Sequence, residues 1–379
     1  MTSHDHPPRQ AGQRVLLHAF STFSFGGAQA RFVQLANALG ADYRHVVMAM
    51  DDCFDAGARL SRDVVWEPMP VPVTKGGALA NRRLFRSILR RIQPDLLLSY
   101  NWGAIEWAAA NLPRVCPQVH VEDGFGPDEA HGQLPRRVWA RRVLLGLNGL
   151  QVVVASRNLE SLARGLWKIP ARQVSFVRNG VDVPEALEGL RSRHTASPAV
   201  LRIGTVAGLR PEKNIARLIR AFAQITAQSP HACQLSIVGD GPLRADLQAL
   251  ACDLGVDGAV EFIGYSTNPL AHLATFDLFA LSSDTEQLPI ALLEAMAVGM
   301  PVVATRVGDV GEILAEVSPD NLCAPDDAAF TAQLLRVLGC QHQWPQWAQA
   351  GQDKVRAAYS KAHMLAQWKL LFDGHGASL

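Results

Sequence analysis

Short β-branched runs alternating with longer amphipathic stretches constrain this chain more than any other feature. Arg14-Val-Leu-Leu-His-Ala19 reads as a strand. A glycine turn at Gly26-Gly27 then leads into a helix carrying Phe32, Leu35, Ala36 and Leu39. His45–Met50, Asp95–Ser99, Gln118–Val121 and Gln151–Ala155 read as further strands. Each is a near-continuous apolar run, as expected of parallel strands covered on both faces. The second half repeats the rhythm at Arg202–Val206, Gln234–Val238, Val260–Ile263, Asp277–Leu281 and Pro301–Ala304. Such alternation implies α/β layers joined by right-handed crossovers. No strand is legible between residues 183 and 200, and 379 residues suit two domains better than one. Two doubly wound domains are expected, with ligands held on loops at the carboxyl ends of the strands. Lys354 to Asp373 predicts a closing helix anchored by Trp368, Leu371 and Phe372.

Composition narrows the function classes. Hydrophobic residues make up 48% and charged residues 19%, which supports a large core and argues against disorder. The net charge of +1 hides an asymmetry. Residues 1–185 hold 22 Lys and Arg against 16 Asp and Glu, a net of +6; residues 186–379 hold 14 against 19, a net of −5. Neither half is basic enough to make nucleic acid a leading partner. The six cysteines show no C-x-x-C pair and no zinc-ligand spacing, so they read as reduced thiols of a cytoplasmic protein. The first ten residues lack an apolar leader, and residues 1–13 read as a loose tail. The longest apolar stretch, Val143 to Val154, is too short to span a bilayer and carries Asn148 and Gln151.

Four clusters in the second half carry chemistry. Gly208-Leu-Arg-Pro-Glu-Lys-Asn214 lies between a strand and a predicted helix from Ile215 to Ile225. Pro211 fits a first helical turn, where its missing N–H costs nothing. Arg210 and Lys213 would place two cations at a helix N-terminus, an arrangement that opposes the helix dipole unless an anion such as a diphosphate sits between them. Val238-Gly-Asp-Gly-Pro242 and Phe262-Ile-Gly-Tyr265 are strand ends at which a ligand could approach the backbone. Gly264 and Tyr265 could present backbone groups or a ring to a nucleobase, or form only a turn. In Glu286-Gln-Leu-Pro-Ile-Ala-Leu-Leu-Glu294, two acids stand eight positions apart around the start of an apolar helix predicted from Ile290 to Val298. Glu294 among Ala, Leu and Met neighbours is costly to bury without donors, and vicinal ribose hydroxyls would supply them. Glu286 could meet sugar hydroxyls beside the backbone amides of Leu288 and Ile290.

Taken together and in this order, these clusters resemble glycosyltransferase family 4, retaining enzymes of the GT-B fold. Glu286 and Glu294 match its E-x7-E signature, and Arg210 and Lys213 match its R-x-x-K. Gly299-Met-Pro-Val-Val-Ala304, Gly26-Gly-Ala-Gln29 and Arg178-Asn-Gly-Val-Asp182 are similar to other family segments. The resemblance covers about residues 15–315. It implies two Rossmann-like domains facing across a cleft: residues 1–185 on the acceptor side and 186–355 binding the nucleotide sugar. Residues 356–379 would form a helix crossing back to the first domain. It implies that Glu294 holds the ribose, Arg210 and Lys213 the diphosphate, Glu286 with Leu288 and Ile290 the donor sugar, and Gly264 and Tyr265 the base. It also implies a UDP-type donor, retention of configuration, and no metal or other cofactor. Gln287 stands where glycine is common in the family, and Gln29 where an acid is common.

The acceptor side is less legible. His120-Val-Glu-Asp-Gly-Phe-Gly126 ends a strand. The resemblance puts a histidine of this kind near the reaction centre, which nominates His120 as a catalytic group and Glu122 and Asp123 as cleft wall; a structural hydrogen bond for His120 is the equal alternative. Gly26 and Gly27 would let the acceptor or the diphosphate approach the backbone. Two basic stretches, Arg82, Arg83, Arg86, Arg90 and Arg91, then Arg136, Arg137, Arg141 and Arg142, are either solvated helix faces or contacts with anionic lipid at the inner face of a membrane. The expected acceptor is a lipid-linked or polysaccharide glycan. The alternatives are a small soluble acceptor and a nucleotide-sugar-binding module without catalysis. A phosphorylase would need a cofactor-bearing lysine, and the second half offers only Lys213, Lys354, Lys361 and Lys369.

Overall fold

The computed structural model describes residues 13–24, 26–74, 76–125, 129, 132–183, 200–228 and 232–374. Residues 1–12 of the tail expected at 1–13, Gly126, and residues 184–199 of the expected boundary segment lie outside the described residues. The chain divides into two compact units, one running to Val177 and resuming at Leu365, the other from Arg178 to Met364.

The first unit holds a parallel sheet of seven strands among the described residues, in the order β3-β2-β1-β4-β5-β6-β7. They are β1 (Arg14–Phe20), β2 (Tyr43–Ala49), β3 (Val65–Pro68), β4 (Leu96–Tyr100), β5 (Gln118–Glu122), β6 (Gln151–Val154) and β7 (Val174–Phe176). Register is tight: Ala19 of β1 lies opposite Met48 on one side and Ser99 on the other. One face of the sheet packs Leu17, Val46 and Leu97 with Phe85 and Trp107 of the flanking helices. Val152, Val154, Leu159 and Trp167 form a further cluster.

The second unit repeats the plan with six strands among the described residues, in the order β10-β9-β8-β11-β12-β13. They are β8 (Val200–Val206), β9 (Ala232–Val238), β10 (Val260–Gly264), β11 (Leu278–Leu281), β12 (Val302–Thr305) and β13 (Leu322–Cys323). All pairings are parallel. In each sheet the strand order reverses once, between β1 and β4 and between β8 and β11. The loops that follow those four strands flank a topological switch point, the place where doubly wound sheets hold ligands.

Three strands escaped the sequence reading. β3, β7 and β13 are short edge strands, and β3 carries Glu67 and Pro68, so none presents a continuous apolar run. The closing segment also differs from the expected single helix. Helices Trp344–Ala358 and Lys361–Phe372 are separated because the backbone at residues 359–361 pairs with Val181 instead. The Val181 amide donates to the Tyr359 carbonyl at 2.9 Å, and the Lys361 amide donates to the Val181 carbonyl at 3.0 Å.

Candidate functional site

The switch point of the second sheet holds Arg210, Lys213, Glu286 and Leu288 of the residues nominated from sequence. The loop after β8 carries Arg210 and Lys213, and the loop after β11 carries Glu286 and Leu288. The two loops are laced together. The Asp284 amide donates to the Glu212 carbonyl at 2.9 Å, and Ser282 Oγ donates to the Lys213 carbonyl at 3.1 Å. Across this junction Lys213 Nζ meets Glu286 Oε1 at 2.6 Å, and Ser283 Oγ donates to the same oxygen at 2.7 Å. Glu286 is 8% exposed and Lys213 19%, so the pair is largely out of water, where charge attraction is strong.

The anion cradle differs from its expected form. Pro211–Lys213 is a separate 3₁₀ turn, closed by Asn214 in the left-handed region (φ 40°), and the long helix starts only at Ile215. Asn214 Oδ1 accepts from the Arg217 amide at 3.1 Å, as an N-cap does. Arg210 and Lys213 therefore stand on the turn before the helix rather than in its first turn. The Arg210 side chain is 59% exposed, with Nε 3.2 Å from Glu212.

Glycine shapes the floor. A Cβ at Gly239, just after β9, would lie 1.9 Å from the Ala207 carbonyl oxygen. One at Gly308, after β12, would lie 2.1 Å from the Glu286 carbonyl oxygen. Only glycine permits these contacts, which press the neighbouring loops onto the two that carry the ion pair. Gly264 ends β10 at φ 89°, and Tyr265 beside it is 55% exposed.

Helix Ile290–Ala297 follows the β11 loop. The Ile290 amide opens its first turn, where no intrahelical acceptor exists. Glu294 is half-buried on this helix. Burial, with the charge of Asp182 second, pushes its carboxyl up to about 7. Asp182 and Ser283 were not singled out from sequence. Nor was Arg217, which is buried and meets Asp284 at 2.7 Å and Asp327 at 3.0 Å.

In the first unit Gly26 and Gly27 sit after β1. A Cβ at Gly27 would meet nothing within 4 Å, so open space lies there. The histidine and acids expected on a cleft wall are placed differently. His120 and Glu122 are wholly buried in β5. His120 Nδ1 is 2.9 Å from Ser99 Oγ, and Nε2 is 3.0 Å from Glu122. The structure buries His120 among its partners Ser99 and Glu122 and does not bring it to a surface. Asp123 is held by Arg31, which donates from both terminal nitrogens, one at 2.7 Å, while its own amide donates to Asn101 Oδ1 at 2.7 Å.

The basic stretches are corrected in the same way. Arg141 is not a surface cation. It is fully buried, donates to Glu122 at 3.0 Å and to Glu129 at 3.1 Å, and stacks on Trp102 and Trp167. Arg137 also meets Glu129, at 3.0 Å. On helix Ala78–Ile92, Arg86 donates to the Ala110 and Pro113 carbonyls at 2.9 Å, whereas Arg82, Arg83, Arg90 and Arg91 are exposed. A sequence signal for Arg31 and Arg141 existed. Each falls in the apolar register of its helix: Arg31 with Ala28, Phe32 and Leu35, Arg141 with Val138 and Leu145.

These two parallel-sheet units define the two-Rossmann-domain GT-B fold class. The patterns described as Glycosyltransferase Family 4 and Glycosyl transferases group 1 match residues 25–185 and 200–339. The lipopolysaccharide core biosynthesis glycosyltransferase LpsE of Rhizobium meliloti is 37% identical over 296 residues, covering 74% of this chain and 76% of LpsE. The chain belongs to the family-4, group 1 glycosyltransferases. It is 25% identical to the N-acetyl-alpha-D-glucosaminyl L-malate synthase of Bacillus anthracis over 61% of each chain, and 26% identical to a Mycobacterium tuberculosis glycogen synthase over 65% of this chain and 60% of that one. The chain thus spans about three fifths of the length of those two relatives. Among solved structures, Anabaena HepE in complex with UDP is similar in fold, with a TM-score of 0.76 at 19% identity over 95% of this chain and all of that one.

Proposed function

We propose that this chain transfers a sugar from a nucleotide-diphosphate donor of the UDP type to a hydroxyl of a lipid-linked or polysaccharide acceptor, in the cytoplasm and with retention of configuration. The observation that carries the reading is the Lys213–Glu286 pair at 2.6 Å across the switch point of the second sheet. A cation and an anion that neutralise each other there are matched to a ligand presenting both a diphosphate and sugar hydroxyls. Such a ligand replaces the pair's mutual contact with one partner for each.

Each residue then has a task. Lys213 and Arg210 neutralise the diphosphate as the bond to the sugar breaks, so the reading needs no divalent ion for that charge. Glu286, held by Ser283 and flanked by the Leu288 and Ile290 amides, orients the sugar. Glu294 accepts from the ribose hydroxyls, and Gly264 and Tyr265 border the base. The C1–O bond to the diphosphate breaks as a C1–O bond to the acceptor forms on the same face. The acceptor proton leaves with the diphosphate oxygen. The UDP bound in Anabaena HepE supports the choice of nucleotide.

The test is an NMR-monitored transfer reaction with a UDP-sugar panel and a lipid-linked glycan acceptor. The expected product keeps the donor's anomeric configuration, at a rate unchanged by EDTA. An inverted product, or loss of the rate in EDTA, refutes the mechanism as stated.

A further inference from the structure

Arg217 is a buried cation of the second unit with no task in the transfer chemistry. It stands in the first turn of helix Ile215–Gln228 and is 4% exposed. A cation there opposes the helix dipole and is costly to take out of water. Apolar side chains of similar volume often fill such a place with no loss of stability. What this side chain holds is therefore its significance.

The guanidinium ties its helix to three other stretches of chain. Nη1 donates to the Ser282 carbonyl at 2.8 Å, and Nη2 donates to the Pro325 carbonyl at 2.8 Å. Nη2 also meets Asp284 Oδ1 at 2.7 Å, and Nε meets Asp327 Oδ1 at 3.0 Å. Ser282 and Asp284 belong to the loop after β11, Pro325 to the loop after β13, and Asp327 to the first turn of helix Asp327–Gly339.

The tie continues to both members of the Lys213–Glu286 pair. Asn214, the residue after Lys213, donates from Nδ2 to Asp284 Oδ2 at 3.0 Å, while its Oδ1 accepts from the Arg217 amide at 3.1 Å. Asp284, two residues before Glu286, thus receives Arg217 on one oxygen and Asn214 on the other. Thr305 Oγ1 of β12 donates to the Ser283 carbonyl at 2.6 Å, which holds the same loop from its other side. Lys213 and Glu286 have long, freely rotating side chains, so their contact depends on where the two loops hold their backbones.

We infer that Arg217 and Asp284, joined by Asn214, form a positioning brace that sets Lys213 and Glu286 for the diphosphate and the sugar. The inference rests on the donor-site reading of that pair. Asp284 is 44% exposed on a loop of the site, yet both its oxygens face protein donors, which makes it part of the brace and not a substrate ligand. The arrangement needs arginine. Acceptors in several directions are met by a planar fork of donors, whereas lysine presents its donors from one point.

The experiment is steady-state transfer by the full chain, with UDP-glucose, UDP-galactose and UDP-N-acetylglucosamine as donor probes and a lipid-linked glycan as acceptor. Arg217→Lys and Asp284→Ala are each expected to lower kcat about 10- to 100-fold with donor KM little changed. UDP is expected still to raise the melting temperature of both. Lysine keeps the charge, so its failure to sustain the rate separates the fork from the charge. Asp284 is half-exposed, so Asp284→Ala keeps the test open should Arg217→Lys fold poorly. A brace acts through the residues it holds. Combined with Lys213→Ala, each substitution is therefore expected to cost less than it does in the wild type, whereas a merely structural role multiplies the losses in full. A wild-type kcat in both variants, fully multiplicative losses, or loss of the UDP response in both overturns the brace while Lys213→Ala remains slow. A Lys213→Ala enzyme as fast as the wild type, or no turnover of any donor by the wild type, removes the donor-site reading itself, and the brace with it.

Discussion

The two units place their charged side chains in opposite ways. The first buries them inside the sheet. His18, His45, His120, Glu122 and Arg141 are all fully buried on or against the central strands. His18 Nε2 is 3.0 Å from His45 Nδ1, and His18 Nδ1 is 3.0 Å from the Tyr100 hydroxyl, so a polar chain crosses β2, β1 and β4. The second unit sets its candidate-site charge at the strand ends, with Arg210, Lys213 and Glu286 on loops and the half-buried Glu294 on the helix that follows β11. Charge inside a sheet must be paired by the protein itself, and it then specifies the fold. Charge at a switch point can be paired by a ligand, and it is then available for chemistry.

That contrast gives its largest expected effect at Arg141. Arg141→Ala leaves Glu122 and Glu129 without their shared partner and is expected to cost about 3–5 kcal/mol in a urea melt. A loss under 1 kcal/mol would show that the buried cluster is not structural. Lys213→Ala, the matching change in the second unit, is expected to lower the transfer rate about 10²- to 10³-fold with the melt little altered. If the melt collapses and the residual rate is normal, the roles of the two units are exchanged.

Acid should separate the units as well. Burial lowers the His45 imidazole to about 4 and pulls His18 well below its ordinary range. The unfolded chain takes up these protons near pH 6.5 and the folded chain does not. The stability they contribute is therefore present above pH 6.5 and is lost as pH falls through 4, about 3 kcal/mol for His45 alone. Melts at pH 7 and pH 4.5 check this; His45→Asn is expected to flatten the difference.

Glu294 runs the other way. With its carboxyl raised to about 7, its contribution is full below about pH 4.5 and lost as pH rises through 7, so Glu294→Gln is expected to stabilise the free protein at pH 8 by about 2 kcal/mol. In the proposed donor site ribose hydroxyls would donate to the carboxylate, so nucleotide binding is expected to weaken by up to about tenfold per unit below pH 7. Calorimetric titration at pH 6 and pH 8 reads that slope directly.

The second unit was the more legible in sequence for the same reason. Its candidate site residues lie on loops between a strand and a helix or, for Glu294, on the helix itself, so glycines, Pro211 and the eight-residue spacing of Glu286 and Glu294 stand out against apolar runs. The position of Ile290 at a helix start could be read as it stands. The 3₁₀ turn at Pro211–Lys213 could not, because it depends on Asn214 capping the next helix. In the first unit, meaning came from pairing across strands far apart in sequence. Nothing near Arg141 names Glu122, 19 residues away, and nothing near His120 names Ser99 of β4 as its partner. The apolar register of Arg31 and Arg141 marks them as turning inward, but the acids that receive them are delivered only by the fold.

The most direct test of the donor-site assignment is a thermal-shift titration with UDP on the wild type, Glu294→Ala and Arg210→Ala. A ligand that binds only the folded state must raise its stability. The expected result is a rise in melting temperature for the wild type that grows with UDP concentration and is absent from both variants. An equal rise in all three would contradict the account and move the nucleotide away from the switch point of the second sheet.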